Sequence, residues 1–221
     1  MSIVYYNGSF ISRNNLFINY DDRSFNYGDG LFETIKVVNA NPFNLNFHFD
    51  RLLYSCDKLK IHFIKQEERM RKILNELIKR NNIVDGIIRI HISRAGGGKY
   101  TPLSDSYDIL ITAIKGSRFK YNSGISICIF RDELKTQGIL STIKSSNSLI
   151  PVLASIYAKE QACDNAFLLN VNNNFVEATN SNFFILKDSV LYTPPITDGC
   201  VDGTMRKLIL KYYHTIESSI T

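Results

Sequence analysis

No apolar stretch in the 221-residue sequence approaches the roughly 20 residues that a membrane-spanning helix needs. The N-terminus, MSIVYYNGSF, lacks the basic region and apolar core of a secretory leader. There is no C-x-x-C pair. Cys56, Cys128, Cys163 and Cys200 lie far apart, which argues for free thiols, buried or at the surface, over metal ligands or a disulfide framework. No run of like charges marks a nucleic-acid arm. The net charge of +5 comes from 26 basic and 21 acidic residues scattered along the chain, and suits an anionic small molecule as well as a polyanion. Repeats and low-complexity tracts are absent too. These absences predict a soluble, reduced, cytoplasmic protein with no metal, membrane or nucleic-acid partner.

What is present reads as globular: 44% apolar and 21% charged residues permit a substantial core in one large domain or two small ones. Residues 3–6 and 9–11, joined by Asn7-Gly8, predict a hairpin. A strand is predicted over residues 31–38, after the Gly28-Asp29-Gly30 turn. Apolar residues recur at helical spacing over 49–59 and again over 70–78. Strands at 87–92 and 109–114 flank the glycine-rich loop 94–100, RAGGGKY. Beyond Lys115-Gly116-Ser117 the pattern changes: a strand at 125–130, a helix at 148–161, short strands at 166–170, 175–177 and 183–186, and a last helix from about Gly203-Thr204. The chain therefore divides into an α+β half, residues 1–117, and a β-rich half, residues 118–221.

Several residues could carry chemistry. Lys144 lies between a strand and a helix, where a desolvated amine could lose its proton and attack an aldehyde; a lone lysine is otherwise a surface residue. Glu177, beside Val176 in a strand, could hold a pyridine nitrogen protonated or could be a solvated acid on an edge. Asn180, Ser181 and Asn182 form a polar turn. Gly203-Thr204-Met205-Arg206 offers a helix start with backbone N–H groups for a phosphate, and Arg51 offers a guanidinium; each could equally be a cap or an exposed arginine.

The order of these segments resembles the class IV aminotransferase family of pyridoxal 5′-phosphate (PLP) enzymes. DRSFNYGDGLFETIK at 22–36 is similar to its N-terminal signature, HFDRL at 48–52 to its phosphate-arginine helix, and IKSSN at 143–147 to its lysine segment. EATNSNFF at 177–184 resembles its pyridine-acid motif. YTPP at 192–195 followed by GTMR at 203–206 resembles its phosphate turn and helix. The resemblance implies an α/β (α+β) chain of the two-domain PLP-dependent fold type IV, an N-terminal α/β sandwich plus a C-terminal pseudo-barrel, with the cofactor held between two domains in a homodimer. It implies Lys144 as Schiff-base lysine and proton carrier, Glu177 at the pyridine nitrogen, with Asn180, Ser181 and Asn182 beside it. Arg51, Gly203, Thr204 and Met205 fall at the phosphate.

Within the family three activities compete. Branched-chain aminotransferases usually have glycine where Thr34 stands, and an asparagine one residue further from the lysine than Asn147. D-amino-acid aminotransferases use a tyrosine where Phe32 stands, and an arginine–histidine pair where this chain has Lys99-Tyr100. The loop from Ser93 to Tyr100 and the Lys-x-x-Asn spacing resemble 4-amino-4-deoxychorismate lyase, which makes p-aminobenzoate for folate. The reading that results is a lyase eliminating pyruvate, with an amino-acid aminotransferase as alternative. Its substrate is a small amine or amino acid bearing carboxylates, contacted by Phe32, Arg94, Lys99 and Tyr100. Arg94 could instead be an ion-pair partner at a strand end. After Gly203 the chain is shorter than the family usually is. Its tail from His214 to Thr221 resembles a late phosphate loop arriving early, with Thr215 as a ligand; the expectation is that a stretch after about Tyr213 is missing from the sequence.

Overall fold

The computed structural model describes residues 2–64, 66–117, 119 and 124–221. The chain forms two compact units, Met1–Lys120 with Ser145–Asn147, and Tyr121–Lys144 with Ser148–Thr221.

Unit 1 is built on a six-stranded antiparallel sheet. β1 (Ile3–Tyr6) and β2 (Ser9–Ser12) form the hairpin expected at Asn7-Gly8, whose positive φ values, 43° and 96°, are those the tight turn needs. A short helix, α1 (Arg23–Tyr27), is capped by Asp22 and ends at Gly28 in the left-handed conformation. β3 (Gly30–Val38) and the two-residue β4 (Asn41–Pro42) follow, then α2 (Leu45–Lys58) and α3 (Glu67–Arg80), and finally β5 (Gly86–Arg94) and β6 (Tyr107–Lys115). The strand order is β2-β1-β6-β5-β3-β4.

Alternation along these strands separates two faces. Leu31, Ile35 and Val37 on β3, Ile88, Ile90 and Ile92 on β5, and Ile111 on β6 are fully buried with Leu52, Cys56, Leu74 and Leu77 of the helices. The intervening residues, among them Phe32, Thr34, Arg89, His91, Leu110 and Thr112, stand on the opposite, more open face.

Unit 2 begins with β7 (Ile127–Lys135), longer at its C-terminal end than the apolar pattern predicts. A short α4 (Ile139–Thr142), α5 (Leu149–Glu160) and β8 (Asn165–Asn170) come next. β7 and β8 pair in parallel, as strands joined by a long crossover can, and β9 (Phe175–Ala178) adds antiparallel to β8. Phe130, Ala154, Ala158, Ala166 and Leu168 form the core between α5 and this sheet. A second three-stranded sheet joins β10 (Ile185–Lys187), β11 (Val190–Thr193) and, parallel to β11, β12 (Thr215–Glu217), with α6 (Thr204–Tyr212) between the last two in sequence. No helix among the described residues is long and apolar enough to cross a membrane.

Candidate functional site

In unit 2, Lys144 is half-buried in the turn after α4, next to the buried Ile143. The three residues after it belong to unit 1, where Ser145 bridges to Leu31 and the Ser146 N–H donates to Gly30 O at 2.9 Å. The Ser146 hydroxyl is buried with no hydrogen-bond partner among the described residues.

Glu177 sits on β9, the edge strand of its three-stranded sheet, but its side chain is buried, not solvated. One carboxylate oxygen accepts from the Lys135 ammonium, and the other from the Val201 N–H at 2.9 Å. Lys135 escapes a reading of the sequence because it ends a charged run, RDELK, that looks solvated; the continuation of β7 carries it inward. The Asn180–Asn182 turn keeps two roles. The Asn180 side-chain oxygen accepts from Asn165 Nδ2 at 3.2 Å, and Ser181 O from the Ala178 N–H at 2.8 Å. Asn182 Nδ2 donates to Val201 O at 2.9 Å, holding the segment that enters α6.

That entry is suited to an anion. Gly203 is the N-cap of a nine-residue helix and supplies no side-chain oxygen to it, Thr204 is buried, and a Cβ on Gly203 would run into the Asn182 side chain. Arg206, one turn in, is buried with its Nε unpartnered among the described residues; its Nη2 donates to Pro194 O at 2.9 Å and pairs with Glu217. Met205 is exposed. Thr215 lies in β12, its hydroxyl bonded to Tyr213 O at 3.1 Å. A lysine amine, a buried carboxylate, a glycine-lined helix start and a buried guanidinium are the donor set that a phosphorylated pyridine aldehyde requires, so these residues fit PLP.

In unit 1, Arg51 is buried on α2 against Glu33, which sequence reasoning did not single out. Arg51 Nε donates to one Glu33 oxygen at 2.7 Å and Nη2 to the other at 2.5 Å, while His48 Nδ1 lies 2.6 Å from the latter. Burial alone would raise the Glu33 pKa, but the bonds from Arg51 and His48 outweigh it and hold the carboxyl below its usual range.

The loop residues divide. Arg94, expected at a substrate carboxylate, is buried and committed to the protein: its Nε pairs with Asp29 at 2.8 Å, Nη1 donates to Lys60 O at 3.0 Å, and Nη2 to Leu59 O. The ion-pair alternative is the arrangement found, because the register of β5 turns residue 94 toward Asp29 and the end of α2. Asp29 also binds Arg23 at 2.8 Å, and Arg23 reaches on to the carbonyls of Gly97, Gly98 and Lys99 at 3.1, 3.1 and 2.6 Å. Burial opposes ionisation of Asp29, yet its two arginines lower its pKa. Lys99 and Tyr100 are therefore presented outward on a latched loop, Tyr100 with its ring 5.8 Å from that of Tyr27.

The open face of the sheet holds a cavity of ≈360 Å³ lined by Tyr6, Asp22, Ser24, Arg89, His91 and Thr112, among others. The Arg89 guanidinium stands 4.2 Å from the centroid of the Phe32 ring. His91 Nε2 lies 3.1 Å from Ser24 Oγ, and burial pushes its pKa down. The signal for this face was present in the strict alternation of Arg89, His91 and Ser93 with buried isoleucines.

Residues 30–221 match the family model described as amino-transferase class IV. A Methanocaldococcus jannaschii protein, provisionally named a branched-chain-amino-acid aminotransferase, is 32% identical over 94% of this chain and 73% of its own. The D-alanine aminotransferase of Staphylococcus haemolyticus is 28% identical over 95% and 74%. The crystal structure of a provisionally named 4-amino-4-deoxychorismate lyase from Legionella pneumophila superposes with a TM-score of 0.84 at 27% identity, covering 95% of this chain and 79% of that one.

Proposed function

Because the chain belongs to the class IV aminotransferases, enzymes that use PLP and share fold type IV, we propose that it is a lyase that eliminates pyruvate from 4-amino-4-deoxychorismate to leave p-aminobenzoate. The observation that carries the lyase reading is Thr34. Its side chain stands on the open face of β3, in register with Arg89 and beside Phe32, where branched-chain enzymes usually keep a glycine. Phe32 offers no hydroxyl for the D-amino-acid mode. The outward loop with Lys99 and Tyr100, latched by Arg23, supports the same reading.

When bound, PLP supplies the electron sink next to the substrate nitrogen. Lys144 would hold the cofactor at rest and would then serve as the base for the ring proton. Glu177, fixed by Lys135 and the Val201 N–H, would keep the pyridine nitrogen protonated. Arg51 and, separately, the N–H groups at the start of α6 would be donors to the phosphate. Arg89, its guanidinium over the Phe32 ring, would receive a substrate carboxylate, a task that Arg94, committed to Asp29, leaves open.

The enzyme acts as a cytoplasmic homodimer in folate synthesis on this reading. α5 supports the dimer: besides the alanines buried in its own unit, it exposes Leu149, Val152, Leu153 and Ile156, an apolar stripe at helical spacing. A second reading, an aminotransferase, is favoured by the names of the two curated relatives. The deciding measurement is pyruvate release from 4-amino-4-deoxychorismate by PLP-loaded protein, with Lys144→Ala as control. Release that disappears in the variant supports the lyase. No release from protein with bound PLP discards the lyase and leaves an amino donor to be found.

A further inference from the structure

Two of the four cysteines meet. Cys128 and Cys163 are 35 positions apart in the sequence, but unit 2 folds them side by side. In the parallel pairing of β7 with β8, Cys128 lies opposite Ala166, and its thiol donates to Asn165 O at 3.5 Å. Ser126 O accepts from both the Asp164 N–H at 3.0 Å and the Asn165 N–H at 3.3 Å, which draws the segment after α5 alongside the start of β7. Both sulfurs pack on the rim of the same core, formed by Phe130, Ala154, Ala158, Ala166 and Leu168, and both are partly open to solvent. The Cys163 thiol donates to Gln161 O at 3.6 Å.

The other two cysteines provide the contrast. Cys56 and Cys200 are each 1% exposed, and burial pushes their thiols up to about 12 and about 11. A thiol that is neither reachable nor ionised is inert toward oxidants. Burial first, and then the neighbouring Cys163, pushes the Cys128 thiol up.

We propose that Cys128 and Cys163 are an oxidisable dithiol that a small hydroperoxide converts to an intrachain disulfide. One of the two thiols, as its thiolate, attacks the peroxide: an S–O bond forms, the O–O bond breaks, and the leaving oxygen takes up a proton. The other sulfur then attacks the resulting sulfenic sulfur. The S–S bond forms, the S–O bond breaks, and the hydroxide leaves as water with the proton of the attacking thiol. Two electrons pass from the thiol pair to the peroxide, and a thiol reductant reverses the change. The covalent loop so closed spans residues 128–163 and contains both Lys135 and Lys144, so oxidation staples the segment that carries the Schiff-base lysine.

The full-length protein, fully reduced and then treated with stoichiometric hydrogen peroxide, tests this. The expected result is a loss of about 2 Da in intact mass, reversed by dithiothreitol, with Cys128 and Cys163 in one cross-linked peptide. Cys56 and Cys200 are expected to alkylate only after unfolding. Cys128→Ser and Cys163→Ser are each expected to abolish the mass loss, and one of the two to trap a sulfenic acid that dimedone labels. The oxidised form is expected to melt several degrees above the reduced form, as closing a loop of this length predicts. Four free thiols after peroxide, a bridge that includes Cys56 or Cys200, a bridge between two chains, or sulfinic acids without a cross-link would each overturn the proposal.

Discussion

Replacing Glu33 by alanine leaves the buried Arg51 and His48 without their carboxylate. Glu33 is 1% exposed and Arg51 5%, so solvent does little to screen the pair, and both Glu33 oxygens are engaged by the Arg51 fork. Removing one partner of such a buried pair costs about 3–5 kcal/mol. For a chain of this size that lowers Tm by roughly 2–4 °C per kcal/mol. The assay is urea unfolding of wild type, Glu33→Ala and the double variant Glu33→Leu with Arg51→Met. The double variant is expected to recover most of the loss, because apolar replacements of similar volume avoid the cost of burying charge. The acid limb gives a second check. Because the folded-state pKa of Glu33 lies below its unfolded value, its contribution is complete above the unfolded value of about 4.3 and disappears as pH falls through the folded one. Wild type is therefore expected to lose stability in acid more steeply than the double variant. A loss below about 1 kcal/mol for Glu33→Ala, the range of exposed pairs, would refute the reasoning.

Gly203→Ala places a methyl group against the Asn182 side chain and is expected to cost about 1–3 kcal/mol in urea unfolding and to weaken PLP binding; addition of Asn182→Ala should relieve part of the stability loss. Arg23→Met removes the donor that three loop carbonyls share, so amide exchange is expected to accelerate across residues 96–100 while the strands stay protected. Lys135→Met leaves the Glu177 carboxylate buried with the Val201 N–H but no cation, and is expected to cost about 3–5 kcal/mol in urea unfolding.

Much of this molecule was legible in its sequence, for identifiable reasons. The Asn7-Gly8 hairpin and the strands around Ile35, Ile90 and Ile111 announced themselves because local turn chemistry and strict alternation needed no distant partner. β10 came out two residues later than expected, at Ile185, and β11 and β12 were not predicted. All three are short strands whose existence depends on pairing with one another. The short helix α1 was hidden inside a motif because five residues carry no periodicity. Lys144 and Glu177 were named through the order of motifs, whereas Lys135 and Glu33, which hold Glu177 and Arg51, were missed. Ion pairs that link residues 18 or 42 positions apart leave no local pattern. Arg94 was assigned to a ligand because a cation in a loop suggests one, and only the fold discloses the carbonyls and the carboxylate that occupy it.

The parity of the six-stranded sheet has a consequence for how this protein can change. Residues of one parity are closed off by the helices and tolerate little; of the other parity, Arg89, His91, Leu110 and Thr112 line the cavity, Phe32 and Thr34 stand on the same face, and all six contribute little to the dry core. Mutational drift and selection for new substrates can therefore act on alternate positions of the same strand without endangering the fold. A library restricted to those six positions should keep most of its members folded, so that a search for new specificity would sample chemistry instead of losing variants to misfolding.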